Sequence, residues 1–256
     1  MIQTIAIGFV FVAGAAAVTL LCYALMRGLA GAAPEPHTKD LAGSVVFRIS
    51  ALHGLILALV FAQEMVDYQQ LRYESAIEAN AIADVYFDAD RYGGESEKKI
   101  QDAMFSYVGM VIGEEWRHLD ETGRLLGKAW GAWDAAYTAI LDLTPANDRE
   151  RSLRDHMLVQ IHAIAEARVK RENHGDNSVS MMFWFAAVAG VIFIALAYYT
   201  FPPNRVNLTL ISLFGGFTGL ILFFIYAFEN PYGSPGVQRP AAYERLLAQI
   251  EDSRSR

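Results

Sequence analysis

The sequence predicts an all-α membrane protein: four transmembrane helices, with an all-helical cytoplasmic domain inserted between the second and third. Two observations carry this prediction. Residues 2–26, 44–68, 179–201 and 207–228 are apolar blocks, each long enough to cross a bilayer, for which about 20 residues suffice. Residues 69–178 between them place apolar side chains at helical spacing and contain no strand pattern. The expected division is 1–68 for the first two spans, 69–178 for the cytoplasmic helical domain, 179–228 for the last two spans and 229–256 for a cytoplasmic tail.

A chain of 256 residues can hold one membrane bundle and one modest soluble domain. Its net charge of −7 argues against a nucleic-acid partner. The negative charge is concentrated in residues 69–178, with 20 Asp and Glu against 13 Lys and Arg. Cys22 is the single cysteine, so no intrachain disulfide can form. The first block has no basic residue ahead of it and is longer than the core of a cleavable signal, so it is expected to stay as a span. Basic residues near the span ends set the orientation. Arg72, Arg168, Lys170, Arg171, Arg239 and Arg245 fall on one side, and Arg27, Lys39 and Arg205 on the other. Both termini and the insert are therefore expected in the cytoplasm.

The second block is not uniformly apolar. At 100° per residue, Ser50, His53, Leu57, Val60, Glu64, Asp67 and Tyr68 share about one third of the helix circumference. Ionisable groups at membrane depth face a bundle interior or a water-filled path. His53 and Glu64 therefore read either as part of a pore or proton path, or as interior polar groups that hold helices together. Arg48 reads as an interfacial side chain that reaches up to the headgroups. Apart from Gly54 there is no breaker from Ser44 to Asp90, so this span is expected to continue as one rod into the soluble domain.

Within the insert, Ser96 is the expected cap of a second helix carrying Ile100, Met104, Tyr107, Val108 and Val111. A third helix is expected over 124–143, with Trp130, Trp133 and Tyr137 in the core, and Thr144-Pro145 is expected to open a fourth. Glu115 and His118 share a helical face at the spacing of carboxylate-bridged metal sites. A second copy is missing, His162 with Glu166 having a different spacing, so Glu115 is expected to salt-bridge to Arg117 or Arg124 instead. In the fourth span, Gly215, Gly216 and Gly219 suit close helix packing. No phosphate loop, nucleophile triad or paired-cysteine site is present, so neither an enzyme nor a cofactor is expected.

The layout and several motifs resemble the bestrophin-like family of bacterial membrane proteins over nearly the whole chain. The residues that carry the resemblance are Tyr73-Glu74-Ser75-Ala76-Ile77-Glu78-Ala79, Tyr107, Glu115-Trp116, Glu229-Asn230-Pro231-Tyr232-Gly233, Pro240 and Tyr243. Of these, Glu115, Trp116, Pro231 and Gly233 are expected to be structural. The resemblance implies the bacterial inner membrane. Through the more distant bestrophin channels, it also implies a homo-oligomer, a pentamer in that case, with an ion pore lined by the second span. His53, Leu57, Val60, Phe61 and Glu64 are then the pore-lining or gating residues, and Asp67, Glu74 and Glu78 line an inner vestibule. Bestrophins conduct chiefly anions, whereas stacked carboxylates around an axis would favour cations. The partners expected are thus lipid, inorganic ions and further copies of the chain. The alternative is a membrane-anchored sensor or scaffold whose acidic domain binds other proteins. A stator-like proton channel shares the layout but would place its acidic residue deeper in a span than Glu64.

Overall fold

The computed structural model describes residues 2–31, 36–176 and 179–255. They form α1 (Ile2–Ala30), α2 (Pro36–Tyr92), α3 (Glu95–Met110), a π-helical turn (Val111–Glu115), α4 (Trp116–Thr122) and α5 (Gly127–Leu141). The remainder is α6 (Asp148–Asp176), α7 (Met181–Ala197), a 3₁₀ turn (Tyr198–Thr200), α8 (Arg205–Glu229) and α9 (Ala241–Arg254). No strand occurs among the described residues. α1, α2, α7 with its 3₁₀ turn, and α8 are long and apolar enough to cross a bilayer, and the chain is a multi-pass membrane protein.

The second helix runs for 57 residues without a break. It begins at Pro36, ahead of the apolar block that starts at Ser44, because proline is pre-organised for the first helical position. α1 ends at Gly31, whose φ of 75° is the left-handed value that glycine adopts without strain. Gly94, not Ser96, flanks the start of α3, and Glu95 and Glu97 lie in its first turn, where the helix dipole favours carboxylates. Asn147 caps α6 in place of Thr144-Pro145. Its Oδ1 accepts from the Glu150 amide at 2.9 Å while its Nδ2 donates to the Glu150 carboxylate at 2.7 Å. This is a reciprocal cap, which satisfies amides that the helix itself leaves unpaired.

The chain divides into two units. The first comprises Met1–Val66, Ser178–Glu229 and Ser234–Gly236. In it, α8 lies against α1 through Gly215 and Gly219, where any Cβ would run into Thr19, Ala15 or Phe11. Small residues let helix backbones approach, which is a main source of attraction where the surroundings are as apolar as the helices. Gly216 faces only Val12, at 3.5 Å. The turn between α7 and α8 is tied to the end of α1. Tyr23 donates to the Phe201 carbonyl at 2.9 Å, and Arg27 donates to the carbonyls of Tyr199 and Phe201 at 3.0 Å each.

The second unit comprises Asp67–Asn177, Asn230–Gly233 and Val237–Arg256. Its core joins Ile82, Val85 and Tyr86 of α2 to Met104, Tyr107 and Val108 of α3, Ile140 of α5, and Met157, Ile161 and Ile164 of α6. α9 belongs to that core through Tyr243, Leu246 and Ile250. On α5 the fully buried residues are Ala129, Ala136 and Ile140. Trp130, Trp133 and Tyr137, expected in the core, are only partly buried. Trp133 still donates to the Ile161 carbonyl at 2.7 Å. The small alanines sit where helices approach, and the large rings flank them.

Candidate functional site

In the first unit, the polar stripe of α2 faces inward. Val46, His53 and Leu57 are buried, and Ser50, Val60, Phe61 and Glu64 are partly buried, whereas Phe47, Leu52, Leu55 and Leu59 are exposed. The inward face meets helices of the same chain. The His53 ring lies against Gly190 of α7 so closely that no Cβ would fit there. Leu57 packs with Ala187, Leu222 and Ile225, and Val60 and Phe61 border the same cluster. Phe61 also meets the rings of Phe224 and Phe228, at 6.3 and 6.0 Å between centroids. His53 and Leu57 thus meet helices of their own chain, His53 at Gly190 of α7 and Leu57 at residues of α7 and α8.

Two atoms on this face lack partners. Ser50 Oγ and His53 Nε2 are buried and make no hydrogen bond among the described residues. Both residues line a cavity of about 400 Å³ that is completed by Gly54, Leu57, Phe61 and residues of α8. The packing that covers His53 from α7 thereby leaves it open toward α8.

In the second unit, a buried charge network gathers Glu78, Tyr107, Glu115, Trp116 and Tyr243 of the motif residues. Arg171 of α6 donates to Glu78 of α2 through Nε at 3.1 Å and Nη2 at 3.2 Å, and Nη2 also donates to Glu115 at 2.7 Å. Arg168, one turn earlier, donates to Glu115, to the Tyr107 hydroxyl at 3.0 Å and to the Leu126 carbonyl at 2.9 Å. The hydroxyls of Tyr107 and Tyr243 donate to Glu78. Two cations face two anions, and all four side chains are wholly buried. Aromatic faces complete the cage. The Arg168 guanidinium is 4.8 Å from the Trp130 ring centroid, and that of Arg171 is 5.7 Å from Trp116, within reach of cation–π attraction.

The electrostatics suit a permanently charged core. Burial opposes the Arg171 charge, but Glu78, with help from the other facing groups, holds its pKa well above the ordinary value. Burial, then the Glu78 charge, raises Tyr107 well above the phenol range, and burial does the same for Tyr243. Both phenols therefore remain hydrogen-bond donors. The π-helical turn puts Glu115 and Trp116 side by side in the interior, since its wider winding shifts which residues face inward. This network is a clamp that fastens α2, the π turn, α6 and α9 to one another.

The acidic residues after the span require correction. Glu78 is fully buried in the clamp and cannot line a vestibule, because its charge is spent on Arg171. Glu74 is also buried, accepting from Gln70 at 2.7 Å, with Lys170 at 4.0 Å. Of the expected ring carboxylates, only Glu64 and Asp67 are partly exposed. Glu115 pairs with Arg168 and Arg171, not with Arg117 or Arg124; Arg117 instead sits 3.8 Å from Glu121. His118 contributes nothing to Glu115, and no group of three metal-ligating side chains occurs among the described residues. The sequence reading missed Arg168 and Arg171 as site residues. Their spacing of i and i+3 on one face of α6, among apolar neighbours, was the available signal.

The carboxy-terminal motif wraps onto the clamp. Tyr232 donates to the Arg171 carbonyl at 2.6 Å, and Trp116 Nε1 donates to the Gln238 carbonyl at 2.7 Å. Pro231 and Gly233 are buried. A side chain at Gly233 would collide with Asp120, whose carboxylate accepts from Asn230 at 2.8 Å. The Asn230 side-chain Oδ1 accepts in turn from the amides of Tyr232 and Gly233. Across this whole arrangement, the family model of the bestrophin-like domain matches residues 13–240. The chain belongs to the bestrophin-like family. No curated protein and no solved structure matches it. In this bestrophin-like chain the matched region contains the polar face of α2 and the clamp residues Glu78, Tyr107, Glu115, Arg168 and Arg171, and it stops before Tyr243 of α9.

Proposed function

We propose that this bestrophin-like protein is an oligomeric ion channel of the bacterial inner membrane, not an enzyme, with both termini and the second unit in the cytoplasm. The observation that carries the reading is the pair of buried, unpartnered polar atoms on α2, Ser50 Oγ and His53 Nε2, beside a cavity of about 400 Å³. Inside a membrane such atoms are costly unless water, an ion or a ligand meets them. The proposed path follows the inward face of α2 within each subunit, with Leu57, Val60 and Phe61 as its apolar constriction. Ion-handling and homo-oligomers accord with the family, and the pentameric number comes from its likeness to bestrophins. The exposed face of α2, with Leu52, Leu55 and Leu59, is the surface offered to neighbouring copies.

The proposed preference is for cations, because Glu64 and Asp67 stand at the cytoplasmic end of that face. The experiment is a reversal potential in asymmetric KCl across a planar bilayer. A shift toward the potassium potential that shrinks in Glu64→Gln supports the proposal, and reversal at the chloride potential in both proteins refutes the selectivity. Absence of flux in liposomes holding intact oligomer would return the function to an anchored scaffold, a reading supported by the 20 acidic against 13 basic residues of 69–178.

A further inference from the structure

We propose that a cleft in the second unit binds a phosphate-bearing anion. The cleft encloses about 420 Å³ between one face of α2 and the start of α9. Three arginines line it in a protein whose net charge is −7: Arg72 from α2, Arg239 just before α9, and Arg245 from its second turn. Arg72 and Arg245 make no ion pair among the described residues. Arg239 meets Glu244 at 3.3 Å, but its side chain is 79% exposed, so that pair is weak and open to exchange.

Two further features border the same space. Ser75, also lining the cleft, is 5% exposed, and its hydroxyl has no partner among the described residues. A buried polar atom without a partner costs free energy that a bound acceptor would recover. The first turn of α9, a helix of 14 residues, also borders the cleft. Its Ala241 amide donates to the Arg239 carbonyl at 2.8 Å and its Glu244 amide to the Pro240 carbonyl at 3.0 Å, while the Ala242 and Tyr243 amides between them lie at the positive end of its dipole. Arginine forks, a hydroxyl and helix amides together match the tetrahedral oxygens of phosphate better than a planar carboxylate.

The floor is pre-formed. Gln238 is held by its side chain donating to the Tyr68 carbonyl at 3.1 Å, its amide donating to Pro231 at 2.7 Å and its carbonyl accepting from Trp116. Rigid placement lowers the ordering cost of binding. The ligand chemistry is shared by two sources, a phospholipid headgroup and a soluble phosphate. Gln69 is one residue beyond the second apolar block, so either could reach the cleft.

The test uses the full chain and reads binding, independently of ion flux. Inorganic phosphate is titrated calorimetrically into protein in phosphatidylcholine nanodiscs, and phosphatidylglycerol retention is read by native mass spectrometry. Phosphate binding in phosphatidylcholine identifies a soluble ligand, whereas phosphatidylglycerol retained without phosphate binding identifies a headgroup; either supports the proposal. The double variant Arg72→Gln/Arg245→Gln is expected to weaken that binding at least tenfold with an unchanged circular dichroism spectrum, and Ser75→Ala is expected to weaken it less. The proposal is overturned if neither ligand binds above the phosphatidylcholine background, or if the double variant binds as tightly as the parent.

Discussion

Arg171 holds Glu78 side-on across 93 residues of sequence, Nε to Oε2 at 3.1 Å and Nη2 to Oε1 at 3.2 Å, with neither side chain exposed. Taking two charges out of water is expensive, and their attraction offsets that only when all partners are in place. Removing one partner strands the other. Arg171→Ala should therefore destabilise the protein by about 3–5 kcal/mol. The double replacement Glu78→Met/Arg171→Met should cost far less than the sum of the two single ones. Thermal melting of the full chain in detergent, followed by circular dichroism, checks both; a double variant whose loss equals the sum of the two single losses would contradict a coupled clamp.

Gly190 and His53 form a second coupled pair. Gly190→Ala puts a methyl group where the imidazole lies, and overpacking of this kind costs about 1–3 kcal/mol. The expected result is a lowered melting temperature that returns toward the parent value in the His53→Ala background. An unaltered effect in that background would show that the helices, not the ring, resist the methyl.

The α1–α8 contact separates neighbouring glycines. Gly219→Val should disrupt the bundle, since its side chain meets the Phe11 backbone and Ala15. Gly216→Ala should be tolerated, because Val12 at 3.5 Å is an ordinary contact. The monomer-normalised yield of folded protein after detergent extraction distinguishes them.

Gly233→Ala should loosen the carboxy-terminal wrap, because its methyl group collides with Asp120. Limited proteolysis is expected to release the α9 segment faster in this variant, and Asp120→Gly should slow that release again.

His174 supplies the pH dependence. Burial lowers its pKa from the ordinary histidine value, against the opposing pull of Asp67 and Glu74. The unfolded chain then takes up the proton at a higher pH than the folded one, so stability rises with pH across that window. Its destabilising effect is absent above the ordinary value of about 6.5 and complete below the lowered one. His174→Gln should flatten the slope of melting temperature against pH between 7.5 and 5.5, and a slope identical to the parent would assign it to other groups.

Much of this was set by local pattern. Four apolar blocks, the uninterrupted second helix and the phase of its stripe, Ser50 through His53 and Leu57 to Glu64, follow from chain length and a period of 3.6, which neighbouring residues determine among themselves. Gly215 and Gly219 declared a close helix contact for the same reason. The tertiary structure alone decided what the stripe faces: α7 and α8 of its own chain, because Gly190 leaves room for His53. It also decided the fate of the charges. Arg168 and Arg171 are 53 and 56 residues from Glu115, a separation that no periodicity spans. Read singly they are surface cations and Glu78 a surface anion. Folding buries all four side chains within hydrogen-bond distance of an opposite charge, which offsets the cost of leaving water.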